Sequence, residues 1–211
     1  MHTKYHIQIT EKALEKELSK SALATIITAN IRQDRISHSI GHDHIHFDGS
    51  AFDQGFQYIT NQENVFIKCI SSFNFECARQ ALGRMIHSWQ DFYSHSNYIK
   101  LWLDLNKNSV PESIVTDDPV IMNHPKLQSG KNYGVIEFIA MLPGFSRLIR
   151  PLMPGDSHAR MNLDQPSSSP LFIYAYWAAF KKTKLIYDGL TQKLISSNYD
   201  PKVISAFKGQ Q

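Results

Sequence analysis

The segment Ala78 to His95 constrains the chain most, because two opposed sets of residues repeat along it at helical spacing. His87, Asp91 and His95 stand at i, i+4 and i+8, so on a helix turning about 100° per residue they share one face. Ala78, Leu82, Met85, Trp89 and Phe92 form an apolar stripe at about 140 to 220° from His87. A polar face opposite such a stripe is ordinarily solvated and filled with Lys, Glu and Arg. This one carries Gly83, His87, Asp91, Ser94 and His95, small or metal-ligating residues that let another element pack close. Imidazole and carboxylate so arranged can converge on one metal ion or on two adjacent ones.

Further ligand types stand in three other places: His6 near the start, Asp34 with His46 and Asp48, and His158 with Asp164. The chain has ten histidines, with His38, His42, His44 and His46 crowded into one short segment. Taken singly, His2, His38, His42, His44 and His124 read as surface or loop residues, and Asp48 reads as a helix cap. The functional case rests on the whole set.

At 211 residues with 42% hydrophobic side chains, the chain can build a substantial core, and one domain over residues 1–211 is expected. A net charge of +3 would suit an anionic partner, but the Lys and Arg residues are scattered, and only Lys181, Lys182 and Lys184 cluster. No clear nucleic-acid motif emerges. The longest apolar run, Leu171 to Phe180, falls short of the roughly 20 residues of a membrane-spanning helix. The expected protein is therefore soluble or peripheral to a membrane. The first residues contain no apolar signal core, which favours the cytoplasm unless a leader has been removed. Cys69 and Cys77 lie in a helical stretch without a ligand-like pattern and are read as reduced core thiols.

The periodicity predicts an all-α fold, a multi-helix bundle with long irregular loops. A helix or bent pair is expected from Thr10, as its cap, to about Asn30. After the aperiodic His-rich loop, Asp48 would cap a helix to about Thr60. Following a turn at residues 61–64, helix resumes from Val65 to Leu105, with a break near residues 71–74. Residues 106–131 hold Pro111, Pro119, Pro125 and Gly130, and read as an irregular excursion, either a lid or a surface loop. A short helix around residues 135–142, a long buried helix over 171–196 and a final one opened by Asp200-Pro201 complete the prediction.

The string GRMIHSWQDFYSHSNYIKLW, with HIQITEKAL, NIRQD, HFD and SHARMNLDQPSSSPLF around it, resembles the Het-C-like branch of the zinc-dependent phospholipase C and single-strand nuclease superfamily. The resemblance implies an all-α fold holding one to three zinc ions, with a metal-bound hydroxide attacking a phosphodiester. Asp34, His46, His87 and Asp91 resemble one zinc site, and His6 with a bridging Asp91 a second. His95 and His158 resemble parts of a third. Asp34 and Asp91 would take the catalytic role of orienting the water. Ser94, Ser96, Asn97 and Asp164 would support the ligands from outside. The implied partner is phospholipid or another phosphodiester, with peripheral membrane contact. The chain departs from the superfamily's enzymes in lacking their leading tryptophan. It also places His95 four residues after the helix aspartate rather than six, and has Asn162 where a glutamate four residues past His158 is expected.

Two other readings are open. A Het-C-like module could keep metal for structure and serve in interaction without turnover. Alternatively, the adjacent pair His42-Asp43 could place the chain among metal phosphohydrolases built on such a pair.

Overall fold

The computed structural model describes residues 1–34, 43–134, 136, 139 and 146–210, side chains 146 and 147 excepted. His38, His42 and most of the helix expected over residues 135–142 lie outside them. Among the described residues there is no β-strand, and the fold is all-α. The helices are α1 (Thr3–Leu14), α2 (Lys20–Ile31), α3 (Asp43–His46), α4 (Phe52–Ser71), α5 (Phe75–His95) and α6 (Tyr98–Leu105). They continue as α7 (Pro119–Met122), α8 (Ser146–Ile149), α9 (His158–Met161), α10 (Phe172–Ser196) and α11 (Pro201–Lys208). No helix among the described residues is long and apolar enough to cross a membrane.

Helix α5 is the axis of the structure. From Ala81 to His95 all but Arg84 are buried, because α2, α4 and α10 pack around it and cover the polar face as well as the apolar stripe. At one end, Leu82, Met85 and Ile86 meet Leu14, Ile26, Phe66, Ile70 and Leu194. At the other, Phe47, Trp89, Phe92, Tyr93 and Tyr98 form an aromatic cluster, closed by the small residues Ala175, Ala178 and Ala179 of α10. Phe92 stands edge-on to Phe47 and to Trp89, with ring centroids 5.2 and 5.5 Å apart. This cluster is the apolar backing of the polar face.

Several boundaries differ from the sequence expectation, each for a local reason. Thr10 does not cap a helix but lies buried inside α1, its hydroxyl donating to the His6 carbonyl at 2.8 Å. The real cap between α1 and α2 is Ser19, whose Oγ accepts from Ala22 N. The expected turn at residues 61–64 is helical instead, with Gln62 reaching Arg84 and Asn61 bonded to Gln57 one turn earlier. The break after Ser71 does occur: Phe73 takes φ 57° and the Asn74 side chain caps Cys77 N. That reversal brings Cys69 and Cys77 together as a disulfide with Cα atoms 5.8 Å apart, correcting the reading of two free thiols. Asp200 caps α11 as expected, accepting from Lys202 N.

The 106–131 excursion is pinned along its length. Tyr98 Oη donates to Val115 O, Tyr174 Oη to Ser109 O and Lys181 Nζ to Ile114 O, while Ile114 and Ile121 are buried. Its return ends α5: Gly130 N donates to His95 O and Asn97 N to Gln128 O.

Gly83 sets how closely α2 approaches α5. A methyl group there would come within 2.9 Å of Ala29 Cβ and 3.0 Å of Asn30 N. Gly83→Ala, which in an open helix would stabilise by about 1 kcal/mol, is expected here to destabilise by about 1 to 3 kcal/mol through overpacking. Thermal unfolding should show a melting temperature lowered by several degrees, and an unchanged or raised one would contradict this packing.

Candidate metal centre

Three elements, α1, α3 and the turn that ends α2, bring ligand-type side chains to those at the middle of α5. Asp91 Oδ2 lies 3.0 Å from His87 Nε2 and 2.8 Å from His46 Nδ1, and Asp91 Oδ1 lies 3.2 Å from His6 Nε2. Asp34, in the 3₁₀ turn that ends α2, places Oδ1 3.6 Å from His87 Nε2. His6, Asp34, His87 and Asp91 each offer one atom to a common group within 4.8 Å of one another. His6 and His87 stack with ring centroids 4.5 Å apart, and His46 stands edge-on to His87.

A network of amides and hydroxyls behind this group fixes the rings. Gln90 Nε2 donates to Thr10 and Thr183 Oγ1, which leaves Gln90 Oε1 to accept from His6 Nδ1 at 2.5 Å and from Asn30 Nδ2 at 3.1 Å. Asn30 Oδ1 accepts from His87 Nδ1 at 3.1 Å. The hydrogen-bond pattern therefore puts a proton on Nδ1 of both His6 and His87 and turns their Nε2 lone pairs toward Asp91. His6 Nε2 and His46 Nε2 are buried without a hydrogen-bond partner. Two imidazole nitrogens and two carboxylates, with the far ring nitrogens tied to carbonyl oxygens, form a donor set suited to zinc. Burial pushes the His87 imidazole down to about 4, against the pull of Asp91, so it is neutral and a competent ligand at pH 7.

A second group of Asp48, His95 and His158 adjoins the first. Residues 129–131 clamp it together. Gly49 N donates to Gly130 O, Ser50 N to Ser129 Oγ, and His158 N to Lys131 O. Glycine is required at 130, since a Cβ there would come 2.5 Å from His158 Cα. Asp48 Oδ1 lies 2.8 Å from His158 Nδ1 and 3.3 Å from His95 Nδ1. His95 Nδ1 donates to His46 O, and its Nε2 lies 3.1 Å from Asp164 Oδ1 and 3.1 Å from the Met1 nitrogen. That nitrogen is also 2.5 Å from Asp91 Oδ1.

The electrostatics of the two groups differ. Burial and the Met1 nitrogen pull the His95 imidazole down, but Asp91 and Asp48 outweigh them and push it up to about 9. His158 is raised well above its usual range, burial being overcome by Asp48 and Asp164. Burial alone would raise Asp91, yet the Met1 nitrogen, His87, His95 and His6 hold it well below the carboxylate range. Both shifts favour the charged imidazoles, so a proton and a cation compete for the second group.

The expected site residues are gathered differently from the three-site scheme. His6 joins Asp34, His87 and Asp91 in one group, with His46 beside it, while His95 and His158 meet Asp48 and Asp164. Asp48 does not cap a helix with its side chain, and no capping bond from it opens α4. Ser94 and Ser96 donate to carbonyls of their own helix, and Asn97 bonds Lys126 O and Gln128 N, so none of the three orients a ligand ring. Asn30, Gln90, Thr10 and Thr183 do that work, and sequence reasoning missed them. His44 lies apart from both groups, edge-on to Tyr58. Of the pair His42-Asp43, only Asp43 is described, at the rim of the pocket that Asp34, Asp48 and Asp164 line.

Fold and site together define an all-α protein whose central helix carries a buried histidine–aspartate centre. The model of the VWA7 N-terminal domain matches residues 3–125, and the chain belongs to that family. It is similar to von Willebrand factor A domain-containing protein 7 of Homo sapiens, 26% identical over 158 residues, covering 72% of this chain and 18% of the human protein. The rat protein of that name is 33% identical over 82 residues, covering 39% of this chain and 9% of its own. The chain thus spans less than a fifth of the length of these relatives. No solved structure matches it.

This family overturns the resemblance to the phospholipase C and nuclease superfamily. With it fall the zinc phosphodiester hydrolase, its catalytic roles for Asp34 and Asp91, and both alternatives, the Het-C-like module and the His-Asp phosphohydrolase. The physical reason is that a ligand-bearing helix such as DFYSHSN encodes a way of presenting imidazole and carboxylate. It does not encode a reaction.

Proposed function

We propose that this domain binds divalent metal of the zinc class, with His6, Asp34, His87 and Asp91 holding the principal ion. His46 stands ready to complete that site, and Asp48, His95 and His158 hold a second ion. The observation that carries this reading is the pair of oriented Nε2 atoms, His6 and His87, facing one buried carboxylate from two different helices. His6 Nε2 is enclosed without a hydrogen-bond partner, and a cation would satisfy it while neutralising Asp91. Ions so placed would tie α1, α2 and α5 to one another, adding stability by mass action.

The disulfide supports a finer proposal on compartment. A Cys69–Cys77 bridge favours an oxidising environment over the cytoplasm expected from the sequence. Mass analysis of alkylated, unreduced protein from its natural source should find neither thiol labelled, and two labelled thiols would refute this.

For the metal itself, protein purified without chelator should contain at least one zinc per chain by elemental analysis. EDTA should lower its melting temperature by about 5 to 10 °C, corresponding to roughly 2.7 kcal/mol at an ion concentration a hundredfold above Kd. Asp34→Asn, at a side chain 28% exposed and thus tolerant of change, should weaken zinc binding at least about tenfold and keep the fold. Protein that takes up no zinc, and melts identically with and without EDTA, would refute the proposal.

A further inference from the structure

Beside the metal centre, but outside it, a cavity of about 330 Å³ opens between the end of α5 and the residues around α9. Ser96 and Leu163 line it, each one residue away from His95 and Asp164, so the cavity and the centre share a wall. Its charge is of one sign. Lys100, Arg150 and Arg160 line it, and no aspartate or glutamate does. None of the three cations has a carboxylate within ion-pair distance among the described residues. The guanidiniums are held instead by carbonyls: Arg150 Nη2 donates to Arg160 O at 3.5 Å and Arg160 Nη1 to Met153 O at 3.2 Å. Each therefore keeps most of its five N–H donors. Burial and the like charge of Arg160 pull the Arg150 guanidinium down, against the attraction of Asp164. Hydroxyl donors complete the lining. Ser169 Oγ accepts from Leu171 N, which leaves its own proton to be donated, and Ser168 stands next to it.

From this geometry we infer that the cavity is a binding site for a small soluble phosphate monoester. Three positive charges, none of them ion-paired to a carboxylate among the described residues, match an anion of about two negative charges. Two guanidiniums beside a pair of serine hydroxyls suit a tetrahedral oxyanion better than a planar carboxylate, because donors reach it from several directions. The volume admits the phosphate and a small organic group, which would lie on Met161 and Leu171. The site does not depend on the metal proposal, since none of the ligand-type residues of either group lines it.

Inorganic phosphate titrated calorimetrically into EDTA-stripped chain at low salt is expected to bind saturably at one site. Arg150→Ala and Arg160→Ala should each weaken it at least about tenfold. Arg160 and Lys100 are exposed, so Arg160→Ala and Lys100→Ala keep the melting temperature and separate lost binding from lost fold. Phosphoserine should bind comparably, succinate more weakly, and Asp34→Asn should leave phosphate affinity unchanged while losing zinc. Absence of saturable binding would overturn the inference, as would affinity untouched in both arginine variants. Phosphate binding that requires added zinc would equally overturn it and assign the anion to the metal. Tighter binding of succinate, or capture of phosphatidic acid vesicles without binding of free phosphate, would replace the ligand class.

Discussion

Asp91 has no exposed surface, and an isolated carboxylate at such depth would cost several kcal/mol. The structure answers by gathering groups around it from separate parts of the chain: the Met1 nitrogen and His46 Nδ1 within hydrogen-bonding distance, His95 of its own helix nearby, and the Nε2 lone pairs of His6 and His87, which a shared cation would join to it. Because these groups come from distant segments, satisfying one charge ties α1, α3 and α5 together in register. The amide network of Gln90 and Asn30 adds direction, turning ring nitrogens toward the carboxylate and binding α2 and α10 into the same arrangement. A close-packed α2, permitted by Gly83, is what brings Asn30 within reach.

The apolar structure serves the same end. Phe47, Trp89 and Phe92 fill the side of α5 away from the carboxylate and exclude water behind it. The returning chain at residues 129–131 closes the other end, linking the Asp48 turn, the last carbonyl of α5 and the start of α9 through backbone bonds. The excursion that reads in sequence as a lid or a surface loop ends in a clasp on the second histidine group.

Much of the fold was legible in sequence because helical spacing is a direct record of burial. The face of His87, Asp91 and His95 was visible for that reason, and the small residues on it correctly signalled a covering element. The supporting network was not legible: Asn30, Gln90 and Thr183 are polar helical residues of the kind that usually face solvent, and only tertiary packing distinguishes them. Asp48 was misread because an aspartate just before a helix is most often a cap. Cys69 and Cys77 would be about 12 Å apart on a continuous helix, and only the reversal at Phe73 makes the disulfide possible. The ligand-rich string on α5 suggested a hydrolytic superfamily, while membership in the VWA7 N-terminal domain family rests on the longer stretch of residues 3–125.

If one cation is shared by the groups around Asp91, its position is the decisive quantity. An anomalous-scattering map of zinc-loaded crystals should place an ion about 2.0 to 2.1 Å from His6 Nε2 and from His87 Nε2, with Asp91 and Asp34 oxygens completing its shell. Zinc found only on histidines away from the centre, such as the half-buried His44 or His124, with His6 and His87 unligated, would contradict the account.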